Sequence, residues 1–187
     1  MARNFIGVIL IGNYHVIGDT GRTIIKLLRE NMVPDPIPKP ELIELCSPAE
    51  TGDFRLTLYL YSVKENGEFR NSGSVRNSGL SLSLFYLLTV HSAAELKSRA
   101  YEENYMLGKA MQVMDNHGIV KGSALHGALA ENAETVKINL YPLSADEMSK
   151  LWIFPNIPYQ LSVAYMVGPV TLDPAPGSGS GAPRVME

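Results

Sequence analysis

A glycine pair at the head of a helical pattern, a few histidines and one cysteine are the residues of this 187-residue chain that could do chemistry. The string Gly18-Asp-Thr-Gly21-Arg22-Thr23 follows an apolar run, the setting of a phosphate-binding loop. Such a loop needs four residues between its glycines and then Lys with Ser or Thr, so that backbone amides wrap the phosphates. Here two residues separate the glycines, and Arg22 stands where lysine belongs. The helical pattern also starts ahead of Gly18, which would commit those amides to helical hydrogen bonds. A nucleotide-binding enzyme built on this string is the lesser alternative.

Of His15, His91, His117 and His126, no two stand at i,i+4 on one helix. Cys46 has no second thiol near it, so the spacing implies no metal site. His117 falls in the last turn of an expected helix, where the dipole favours a cation. The serines show no nucleophile elbow. Asp146 and Glu147 fit the first turn of a helix without needing an acid–base role. Trp152, the lone tryptophan, reads as a core anchor. The expectation is no catalytic residue, no cofactor, no metal and no enzyme.

The elements around these residues are strongly patterned. Leu56, Leu58 and Leu60 alternate with Thr57, Tyr59 and Tyr61; Leu80, Leu82 and Leu84 alternate with Ser81, Ser83 and Phe85. Period two predicts two half-buried strands joined as a long-looped antiparallel hairpin. Val136, Ile138 and Leu140 predict another strand, and alternation from Tyr159 to Val167 a last one. Ile17, Ile24, Leu27, Leu28 and Met32 share a helical stripe over residues 15–32, which Pro34 ends. Pro34, Pro36, Pro38 and Pro40 then suggest a stiff extended spacer, followed by a short strand at residues 42–46. A second helix spans residues 96–117, with Ala100, Leu107, Ala110, Val113 and Met114 inward and Gly118 as a left-handed stop. Ser144 and Glu147 form a capping box for a short helix reaching Trp152.

The result is an α+β fold: a mostly antiparallel sheet with a long hairpin and flanking helices. The hairpin's second face carries Tyr59, Tyr61, Phe85 and Leu87, and so is also apolar. A helix on each face would bury it; an aromatic patch open to a partner subunit is the sharper alternative. Hydrophobic residues are 45% of the chain, ample for one core, and the formal charge is −3. Scattered Lys and Arg give no basic track, so no nucleic-acid partner is expected. Residues 5–11, Phe-Ile-Gly-Val-Ile-Leu-Ile, are too short to cross a bilayer and read as a strand or arm. No membrane insertion is expected. The organisation is residues 1–12 as an arm or strand, 13–173 as the α/β domain and 174–187 as a Pro/Gly/Ser tail.

Five segments carry a resemblance. They are Asn13-Tyr-His-Val-Ile-Gly-Asp-Thr20 with Ile24-Ile-Lys-Leu-Leu-Arg29, Leu80-Ser-Leu-Ser-Leu-Phe-Tyr-Leu-Leu-Thr89, Leu107-Gly-Lys-Ala-Met-Gln-Val-Met114, Leu143-Ser-Ala-Asp-Glu-Met-Ser-Lys-Leu-Trp152 and Pro158-Tyr-Gln-Leu-Ser-Val-Ala-Tyr165. In this order they resemble the cap, or tail-terminator, proteins of extracellular contractile injection systems of the Photorhabdus virulence cassette and antifeeding prophage type. The resemblance implies a tail-terminator-like fold and a structural role. Six copies would ring the baseplate-distal end of tube and sheath, stopping polymerisation and fixing length, after assembly in the bacterial cytoplasm. An adaptor or anchoring component of the same particle is the alternative. Partners would be further copies of the chain and tube or sheath subunits. Candidate interface residues are Phe5, Ile6, Val8 and Ile9 in the arm, with Tyr59, Tyr61 and Phe85 on the hairpin.

Overall fold

Helix α1 (Val16–Met32) forms where the apolar stripe runs, and Val16, Leu28 and Met32 are its deepest residues. It stops at Val33, which adopts extended geometry as a residue before proline must. The computed structural model describes residues 14–50, 52–66, 79–132, 134–154 and 157–173. Residues 1–12, expected as an arm or strand, and residues 174–187, expected as a tail, lie outside them.

The remaining elements are β1 (Ile43–Leu45), β2 (Leu56–Glu65), β3 (Leu80–Val90), α2 (Leu96–Asn116), β4 (Ile119–Lys121), α3 (Gly127–Glu131), β5 (Thr135–Leu140), α4 (Ala145–Leu151) and β6 (Ser162–Leu172). They build a six-stranded sheet in the order β1-β2-β3-β6-β5-β4. Only the β1–β2 pair is parallel; the others are antiparallel, including the long hairpin β2–β3. β3 lies at the centre and pairs along nearly its whole length with both β2 and β6.

Alternation on these strands sorts the side chains into two layers. Leu56, Leu58, Leu84, Tyr86 and Leu88 meet α1, α2 and α3 in the main core. Each such fully buried side chain contributes roughly 1.5–3 kcal/mol relative to exposure. Phe85, Leu87 and Thr89 point the other way and are also buried. The connection from β5 to β6 covers them: Tyr141 stacks edge-on to Phe85 at 5.0 Å, and Phe154 meets Tyr59 at 6.2 Å. Trp152 packs edge-on against both Phe154 and Tyr159. The capping box holds this cover in shape, with Ser144 N–H donating to Glu147 Oε2 at 2.9 Å and Glu147 N–H to Ser144 Oγ at 3.3 Å.

Several expectations change. The alternating prolines are not a mere spacer: Ile37 is wholly buried, and its N–H donates to Met32 O at 3.0 Å. Proline sets φ but leaves the side chain between two prolines free to enter the core. Gly118 is not left-handed; its N–H reaches Asp115 O at 3.0 Å, and the positive-φ glycines near this point are Gly122 and Gly127. On α2, Ala100 is exposed and Met106 is buried instead. The inward stripe therefore starts later, and the helix's first half overhangs the sheet. The last strand begins at Ser162, after Tyr159 and Leu161.

Candidate functional site

The glycine pair at Gly18 and Gly21 lies inside α1, so its amides are committed to the helix. What the string does instead is hold α3. Asp19 is buried, its Oδ2 accepts from Ala128 N–H at 3.0 Å, and its Oδ1 faces His126 Nδ1 at 3.3 Å. Thr23 Oγ1 accepts from His126 N–H at 3.0 Å and donates to Asp19 O at 2.8 Å. Asp19 therefore caps the start of α3 from another helix, a role in which one acceptor satisfies a free helical N–H. Gly127 must be glycine here, because φ is +53° and a Cβ would strike the Asp19 carboxylate.

Beside this clamp is a cleft of about 590 Å³ lined by Arg22, Lys26 and Arg29, and the last two are already occupied. Arg29 donates to Ile43 O and to Glu44 Oε2 at 2.9 Å, and Lys26 donates to Ser123 O at 3.3 Å. The histidines stay apart, each with its own neighbour. His91 Nε2 meets Thr57 Oγ1 at 3.0 Å, His117 Nδ1 meets Val113 O at 2.8 Å, and the His15 ring lies 4.0 Å from that of Tyr14. Among the described residues, no three of His, Cys, Asp and Glu converge as a metal-ligand set. Cys46 is buried, and burial, then Glu50 and Glu44, push its thiol up to about 11. It is therefore a protonated thiol at neutral pH and a poor nucleophile.

The aromatic face is the other candidate, and the structure divides it. Phe85 is 5% exposed and lies against Tyr61 and Tyr141 with Lys64 Nζ 4.9 Å from its ring centroid, so it is an interior residue of the subunit. Tyr59 and Tyr61 are half-buried at the rim. Phe5, Ile6, Val8 and Ile9 lie outside the described residues. Between β2 and α4 a groove of about 220 Å³ remains open, floored by Tyr61, Phe85, Tyr141 and Leu151. The Tyr61 hydroxyl is buried there without a hydrogen-bond partner among the described residues. Burial first, then Tyr141 and Glu147, push its pKa up to about 12.

Sequence reasoning missed a second apolar surface. Leu96, Tyr101 and Tyr105 stand exposed on the overhanging half of α2. Tyr101 and Tyr105 are an i,i+4 pair, so helical spacing could have flagged them. Ile119 and Leu140 are exposed at the opposite edge of the sheet.

The sequence profile of the Pvc16 N-terminal domain matches residues 19–185. The chain belongs to the Pvc16 N-terminal domain family. Solved structures share the fold of this Pvc16-type domain at low identity. A PVC sheath/tube terminator in the extended state, from an extracellular contractile injection system, is 16% identical with a TM-score of 0.58, covering 91% of this chain and 62% of that one. The tube-terminating cap of the anti-feeding prophage is 14% identical with a TM-score of 0.54, covering 90% of this chain and 61% of that one. The chain thus spans about three-fifths of the length of either relative. No curated protein sequence matches it.

Proposed function

We propose that this Pvc16-type domain is a structural cap of a contractile injection system. Copies of the chain, six in the expected ring, sit on the baseplate-distal end of tube and sheath and end their polymerisation. The observation that carries this reading is a family match over residues 19–185 combined with the fold of two solved terminators. The surface chemistry is in keeping with a role exercised by shape. The conspicuous polar cluster, Asp19 with Thr23 and His126, is consumed in joining α1 to α3. Exposed apolar residues include those on the α2 overhang and at the β4–β5 edge. A closed ring requires two different patches on each copy, one meeting the other head to tail. Assembly would take place in the bacterial cytoplasm, with the domain remaining at the distal end of the finished particle.

The test is deletion of the gene in its native cluster, followed by electron microscopy of purified particles. The expected outcome is no particles, or a broad spread of lengths with ragged distal ends. Capped particles of unchanged length would overturn the terminator reading and leave an adaptor role.

A further inference from the structure

β2 is ten residues long, yet the three-residue β1 pairs with it only from Leu56 to Leu58. Among the described residues, no strand covers the outer side of residues 59–64. Asn66 N–H donates to Ser81 O at 2.8 Å, so by antiparallel alternation Lys64 and Ser62 face β3. Val63, 43% exposed, consequently turns its N–H and C=O outward. The register shift between Leu60 and Ser62 leaves Tyr61 as an extra residue and sets Tyr61 and Ser62 beside the same groove. An open edge and a groove with an aromatic floor therefore adjoin.

Lys64, Glu147 and Lys150 line the groove beside its floor of Tyr61, Phe85, Tyr141 and Leu151, and that floor suits an extended strand with apolar side chains. Main-chain hydrogen bonds would form along the edge, and every second side chain would lie over the groove. Residues 5–11 have that character: Phe-Ile-Gly-Val-Ile-Leu-Ile contains no charge and no proline, and Ile6, Val8, Ile9 and Ile11 are β-branched. At about 3.3 Å per residue the segment would extend roughly 23 Å, and the open edge roughly 20 Å.

We propose that residues 5–11 of one copy add as a strand to the residue 59–64 edge of β2 in a second copy, with alternate side chains in the Tyr61–Phe85–Tyr141 groove. This rests on the ring reading above, because each copy then gives one strand and receives another around a closed circle. The bulge and Lys64 guard the edge against indiscriminate pairing.

Two full-length chains on a Cys46→Ser background, one with Val8→Cys and the other with Val63→Cys, carry tags of different size and are mixed under mild oxidation. The expected product is a covalent heterodimer, lost when Ile6 and Ile9 of the donor are changed to Asp. Urea midpoints matching the parent show that the variants are folded. No heterodimer overturns the exchange, as does a Val63→Cys chain that links in particles to a tube or sheath subunit instead. The two proposals fail separately: disturbed particle lengths without the link remove only the exchange, and the link with normal lengths removes only the terminator role.

Discussion

Asp19 shows how residue type and residue role can part. Its flanking glycines suggest phosphate chemistry, but its carboxylate is spent on Ala128 N–H and His126. Asp19→Ala should lower stability by about 1–3 kcal/mol, the cost of leaving a buried donor unsatisfied. Gly127→Ala should be similarly damaging, since it combines a positive φ with a clash at Asp19. Gly18→Ala should be neutral or stabilise by up to about 1 kcal/mol, because nothing lies within 4 Å of a Cβ there and alanine is the better helix former. Urea midpoints of the three variants check this ordering. A phosphate loop would demand the reverse, with Gly18 the sensitive position. Sequence spacing could exclude the loop, but no local pattern links residue 19 to residue 128.

At the scale of elements, α4 and the chain after it form a lid on the sheet's second face. The capping box was readable from Ser144 and Glu147 alone, because it is a contact between near neighbours. A cover on this face was expected, but which segment supplies it was not readable: α4 has no buried residue of its own, so its periodicity names no face. Burial is delivered instead by Trp152, Phe154 and Tyr141 around it. Ser144→Ala should loosen the lid by about 1 kcal/mol. Trp152 fluorescence should then change at lower urea than the far-UV signal of the sheet. Coincident, unshifted transitions would show that the cap does not hold the lid. The proline run carries the same lesson, since its composition predicted stiffness but not the burial of Ile37.

For the whole molecule, stability should fall at both ends of the pH range. Burial, and secondarily Arg55, lower the His91 pKa from its ordinary 6.5. The unfolded chain therefore binds a proton that the folded chain refuses, and stability declines as pH drops below 6.5. At the alkaline end, burial pushes Tyr61 and Tyr165 up to about 12 from 10.0. Stability holds below pH 10 and is lost as pH rises toward 12, because the unfolded chain releases these protons first. Urea titrations across pH 5–8 should show a slope that His91→Gln flattens. An unchanged slope would mean that His91 does not carry it.

The sequence by itself determined the long hairpin, the two main helices, the α4 cap and the family resemblance that the profile match then established. These depend on periodicity and short-range contacts, which are written in adjacent residues. Tertiary structure alone decided which apolar face is spare. Phe85 and Tyr59 carry equally aromatic side chains on the same face of the hairpin, yet Phe85 on central β3 is covered and Tyr59 on β2 is only half-covered. Position in a sheet depends on pairings between distant segments, and alternation has no means of encoding strand order. The open side of β2 exists for the same reason: β1 is three residues long where β2 is ten.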